Sequence, residues 1–179
     1  MPERWFRNAD ARYPFLREDA AQAPARWHGD GEGPVQYLAD TPDGAWAEFL
    51  RHEAITDPAD LQGIERNLWA IEVELDTETI HRSSMAADSQ RGDLTPYPRC
   101  QADARSHRAD GATALRASSA ALDETAAGGQ CSEGGALVDA PDRAGQTLAI
   151  FGARDGLAGW LCCDRGRPGP RLVHRVRQL

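Results

Sequence analysis

Arg26, Tyr37 and Glu48 stand at equal steps of eleven residues and bring together three kinds of side chain that one pocket could use. A guanidinium forks onto phosphate oxygens in a bidentate way. An aromatic ring offers a flat wall for a planar ligand. A carboxylate stabilises positive charge that develops on a sugar carbon as a glycosidic bond breaks, the logic that glycosidases use. Together they could hold a dinucleotide and labilise its bond to ribose. Each residue also has an ordinary reading, as a surface arginine, a core tyrosine and a solvated glutamate.

The surrounding pattern predicts the elements that would position them. Residues 20–33 read as loop, with Gly29, Gly31, Gly33 and Pro34 as breakers. A short strand over 35–39 puts Val35 and Tyr37 on one face and Leu38 on the other. Thr41-Pro42 is a helix start, with threonine at the N-cap and proline in the first turn. The helix runs to about residue 53, with Ala45, Trp46, Phe49 and Leu50 as its apolar stripe and Glu48 off it. Further strands are expected at 5–7, 68–75, 111–117, 147–152 and 171–177, and a helix at 100–109. Trp69, Ile71, Val73 and Leu75 give the alternation of the second of these strands. Residues 76–98 read as an excursion, 126–135 as a flexible glycine-rich stretch, and the Cys162-Cys163 pair as part of a strand. Short strands with a few helices and no βαβ alternation predict an α+β fold, and 179 residues fit a single domain over 1–179.

Composition narrows the function. A formal net charge of −8 argues against direct nucleic-acid binding and favours a basic or partly cationic partner. Arg165, Arg167, Arg171, Arg175 and Arg177 make a basic tail, read as a solvated or partner-docking face. No apolar run is long enough to span a membrane. The first residues, Met1-Pro2-Glu3-Arg4-Trp5-Phe6-Arg7, do not form a signal peptide, so a cytoplasmic location is expected. Cys100, Cys131, Cys162 and Cys163 lack metal-ligand spacing and read as reduced, buried thiols. The five histidines are scattered, so no metal site is expected. There is no G-x-G-x-x-G after a strand, and a chain without lysine cannot carry a P-loop.

The motif residues resemble the RES domain family, whose name stands for an arginine, a glutamate and a serine. The family's Gly-Gly-Arg-Trp-Asn pattern corresponds to Pro24-Ala25-Arg26-Trp27-His28, and Tyr37-Leu38-Ala39-Asp40-Thr41 through Glu48 aligns without a gap. Arg7, after Trp5-Phe6, resembles the family's early arginine, with Arg4 and Arg12 as alternates. Ser119, or Ser118 one step away, resembles the serine of a Pro-Ser-Ala element. Tyr97-Pro98-Arg99-Cys100-Gln101 resembles the segment opening a later helix, with Gln101 as a pocket contact.

The resemblance implies a compact α+β domain similar to the mono-ADP-ribosyltransferase fold, with two small sheets around an NAD cleft. It implies a toxin that degrades NAD, its substrate, by hydrolysis or phosphorolysis of the nicotinamide–ribose bond. In that scheme Arg7 and Arg26 anchor phosphates, Tyr37 packs on the nicotinamide mononucleotide half, Glu48 stabilises the ribosyl cation and Ser119 orients the ribose. The implied partner is an Xre-like antitoxin, and a homodimer is compatible with it. A mono-ADP-ribosyltransferase acting on a protein and a non-catalytic partner-binding module remain as alternatives.

Overall fold

The structure, a computed structural model, describes residues 2–16, 21–85, 96–154 and 156–178. In chain order the strands are β1 (Glu3–Asp10), β2 (Val35–Ala39), β3 (Arg66–Val73), β4 (Ile80–Arg82), β5 (Ala114–Ser118), β6 (Gln130–Glu133), β7 (Ala136–Asp139), β8 (Gln146–Phe151) and β9 (Ala158–Gly166). Two α-helices, α1 (Pro42–His52) and α2 (Pro96–Ala109), interrupt them. Seven strands form one mixed sheet in the order β4-β5-β8-β2-β1-β3-β9, and β6 pairs with β7 alone. The expected α+β class is what the chain adopts.

The sheet is nearly cut in two. β1 runs beside β3 for eight pairs, from Glu3↔Val73 to Asp10↔Arg66, and β2 pairs with β8 over its full length. Between β1 and β2 only Phe6↔Ala39 pairs. A three-stranded half (β1, β3, β9) and a four-stranded half (β2, β8, β5, β4) thus splay apart beyond that pair. The two small sheets of the sequence reading exist as the halves of one sheet.

α1 lies across the join. Thr41 caps it in extended conformation, with its hydroxyl accepting the Gly44 amide at 2.9 Å. Gly44 lets the helix sit close: a Cβ there would meet Thr41 Oγ1 at 3.0 Å and the Ala39 Cβ at 3.1 Å. Trp46 and Leu50 pack with Leu122, Leu172 and Val173, and Asn8 Nδ2 donates to the Ala45 carbonyl. Replacing Thr41 by Ala orphans a first-turn amide and should cost about 1 kcal/mol, read as a lowered denaturation midpoint with an unchanged slope. A second core cluster places Trp27, Val35, Cys100, Leu115 and Phe151 under α2. A third, with Trp5, Leu38, Ile71, Leu148 and Ile150, closes the other side of the sheet.

Several expectations change. The first strand extends well beyond residues 5–7. Residues 76–98 contain β4, a three-residue strand parallel to β5 and too short to leave a pattern; residues 86–95 lie outside the described ones. The stretch 126–135 leads into the β6–β7 hairpin. Its turn is Gly134-Gly135, both at positive φ (58° and 82°), the backbone a two-residue hairpin turn demands. Residues 171–177 are mostly a 3-10 turn (Pro170–Arg175) rather than a strand, because Leu172, Val173 and Val176 recur at helical spacing and face one core. Only Cys100 of the four thiols is buried; Cys131, Cys162 and Cys163 are exposed on the hairpin and on the edge strand β9. The basic tail is engaged locally. Arg177 meets Asp123 and Glu124, Arg175 donates to Thr125, and Arg167 donates to the Gln62 carbonyl.

Candidate active site

A cleft of about 530 Å³ opens where β1 and β2 part, within the usual range of small-molecule pockets. Arg7, Arg26, Tyr37 and Glu48 all line it. The structure brings these four together from three separate stretches of chain.

Arg26 sits at the tip of a turn. Ala25 and His28 bond each other's backbones (3.0 and 3.4 Å), so Arg26 and Trp27 form the two residues between them. Trp27 turns inward and is 1% exposed. Arg26 turns to the cleft, its guanidinium 5.3 Å from the centre of the Tyr97 ring. Neither Pro24 nor Ala25 has positive φ, so the turn does not need the glycines of the family pattern. Gln101, from α2, donates to the carbonyls of Ala25 (3.0 Å) and His28 (3.2 Å). It pins the loop that carries Arg26, where the sequence reading had it facing the pocket.

Tyr37 is fixed by proton order. Its hydroxyl accepts from the Trp27 amide at 3.0 Å and lies 2.9 Å from His28 Nδ1, while His28 Nε2 is 2.9 Å from the Ala23 carbonyl. A carbonyl can only accept, so Nε2 carries the ring proton; Nδ1 then accepts from Tyr37. Burial raises the Tyr37 pKa and keeps the phenol protonated. His28, fully buried, takes the place of the family's asparagine and is held below its ordinary pKa mainly by burial, so it is neutral. The unfolded chain therefore binds a proton that the folded one refuses. Stability from this site is present above about pH 6.5 and lost as pH falls below it. The thermal midpoint of the native protein should drop more between pH 7.5 and 5.5 than that of a His28→Gln variant.

Glu48 lies on the cleft side of α1. Ser119 Oγ donates to its Oε1 at 3.2 Å, and Thr147 Oγ1 donates to the same oxygen at 3.4 Å. Oε2 has no protein partner among the described residues. Ser119 is itself held, accepting the amides of Ala121 (3.3 Å) and Leu122 (3.1 Å), whereas Ser118 is exposed. Of the two serines, Ser119 is thus the one that meets the glutamate.

Arg7 forms the floor. Its Nη1 donates to Gln36 Oε1 across the split between β1 and β2. Burial, with the nearby charge of Arg66 adding to it, lowers its pKa to about 10. Of the alternates, Arg4 is exposed, and Arg12 is paired with Asp10 at 2.7 Å.

Sequence reasoning missed Thr147, Arg66 and the role of His28. Thr147 could have been found as the first residue of a predicted strand, one polar position on an otherwise apolar run. Arg66 precedes the predicted strand at 68–75 and left no signal. Among the described residues, no group of three or more His, Cys, Asp or Glu could hold a metal, and no helix is long and apolar enough to cross a membrane.

Compared with known proteins, residues 2–132 match the RES domain. No curated protein matches the chain by sequence. Among solved structures, the chain is similar to one in the crystal structure of the M. tuberculosis MbcT-MbcA toxin-antitoxin complex. Identity is 20% and the TM-score 0.56, over 99% of this chain and 90% of that one, so the two share a fold.

Proposed function

The chain belongs to the RES domain family, and from that premise we propose that it is a toxin which consumes NAD by breaking the nicotinamide–ribose bond. One observation carries the reading: Glu48 has one oxygen held by Ser119 and Thr147 and the other without a protein partner among the described residues, in a cleft also lined by Arg7 and Arg26. A carboxylate held before the reaction need not reorganise as charge develops, which is how electrostatic catalysis gains its advantage.

In this scheme Arg7 and Arg26 fork onto the pyrophosphate, and the Tyr37 ring packs on the nicotinamide mononucleotide half. The C1′–N bond breaks with its electron pair going to the ring nitrogen, so nicotinamide leaves neutral. Glu48 faces the ribosyl cation left behind. Water attacks C1′ and loses a proton to Glu48; phosphate as acceptor would give the ribosyl phosphate instead. Ser119 contributes by orienting Glu48. By analogy with the toxin-antitoxin complex that contains the similar chain, the partner is an antitoxin protein.

The test is NAD consumption by the purified chain, with and without phosphate, products being resolved by chromatography. Free nicotinamide is expected, and the co-product identifies the acceptor. Label from NAD appearing on macromolecules in lysate would assign a protein acceptor instead. An intact NAD pool with a folded, antitoxin-free sample would overturn the reading.

A further inference from the structure

Arg66, at the start of β3, is a further guanidinium in the cleft, and the proposed chemistry leaves it without a task. It lines the pocket together with Arg7. Its Nε donates to Asn8 Oδ1 at 2.7 Å, and its guanidinium carbon lies 4.4 Å from the centre of the Phe49 ring. One edge of the fork is thereby fixed and one face covered. The two terminal nitrogens have no protein partner among the described residues.

Arg7 is similar: Nη1 is held by Gln36, and its other nitrogens have no protein acceptor among the described residues. Neither arginine makes an ion pair with a described carboxylate. Asp10, which faces Arg66 in the strand register, is taken by Arg12.

Two guanidinium groups brought close in a partly buried cleft repel each other. An anion between them would offset that repulsion and the cost of their burial. The Arg7 pKa is depressed by burial and by the Arg66 charge, and that of Arg66 by its own burial, which outweighs the opposing pull of the Asp10 and Glu53 carboxylates. Holding such a fork in place beforehand by Asn8 and Phe49 is what a site for oxyanions requires, because fewer rotamers are lost on binding.

We propose that Arg66 and Arg7 together form a two-guanidinium subsite for a phosphoryl group. This rests on the reading of the cleft as a nucleotide site and adds Arg66 to it. The phosphoryl group has two sources, the dinucleotide's own pyrophosphate or a free phosphate ion beside it, and both present the same oxygens to the fork.

Calorimetric titration separates these sources without turnover. ADP and inorganic phosphate are titrated into the native chain and into Arg66→Gln and Arg66→Lys variants. At least one of the two ligands should bind the native chain. Arg66→Gln should weaken that binding at least tenfold, with Arg66→Lys in between because it keeps the charge but not the fork. Phosphate binding that vanishes in ADP-saturated protein assigns the subsite to the nucleotide's phosphate. Phosphate binding that persists assigns it to the free ion. Native affinity in both variants, or no binding of either ligand to the native chain, overturns the proposal. Because ADP lacks nicotinamide, a chain that binds ADP through Arg66 but leaves NAD intact would refute the proposed reaction and keep the subsite.

Discussion

A Glu48→Gln variant is expected to lose activity on NAD by a factor on the order of 10²–10³ while keeping its fold, equivalent to roughly 2.7–4 kcal/mol of transition-state stabilisation. The amide preserves the size of the side chain and still accepts from Ser119 and Thr147 through its oxygen. What it removes is the negative charge opposite the ribosyl cation. The loss should fall on kcat, with KM little changed, since the charge it answers exists only in the transition state. Circular dichroism and a thermal midpoint near the native value would show the fold intact. A variant that turns over NAD at the native rate would remove Glu48 from the mechanism.

The largest effect on stability is expected from Trp27→Ala. Trp27 is 1% exposed and packs with Val35, Cys100, Leu115 and Phe151, so its removal leaves a cavity that the sheet cannot close. Truncations of this kind cost about 3–5 kcal/mol, a large share of the roughly 5–15 kcal/mol that holds a typical domain together. For a chain of this size the thermal midpoint should fall by on the order of 10 °C. Trp160, 52% exposed on β9, is the control: its replacement by Ala should stay within about 0.5 kcal/mol. Equal losses at the two positions would mean that the Ala25–His28 turn is not anchored through Trp27.

The segment from Arg26 to Glu48 was legible because its signals are local. Thr41-Pro42 announces a helix start, and the alternation of Val35, Tyr37 and Leu38 announces a strand, so where Tyr37 and Glu48 sit follows from the elements alone. Ser119 could be narrowed only to one of two positions, since the choice depends on which serine reaches a helix seventy residues earlier in the chain. Arg66, Thr147 and the orienting role of His28 were not legible. Each acts through a partner that only the sheet order brings near: Asn8 for Arg66, Glu48 for Thr147 and Tyr37 for His28. The β6–β7 hairpin was within reach, since Gly134-Gly135 is a two-residue turn signal, but it was outweighed by the glycine content around it. The last segment misled because its three apolar residues fit a strand as loosely as a turn, and only the core beneath α1 decides between them.

The single pair Phe6↔Ala39 also divides the labour of the cleft. Arg7 and Arg66 stand on β1 and β3, while Tyr37 and Glu48 stand on β2 and on the helix that follows it. The paired guanidinium groups of the proposed phosphoryl subsite and the carboxylate that would act on the sugar thus belong to different halves of the sheet, bridged by one strand pair and the underside of α1. Any molecule held at both ends is a crossbar between those halves. Its binding energy is at the same time part of the protein's cohesion, rising as RT ln(1 + [L]/Kd) with the concentration of whatever fills the gap.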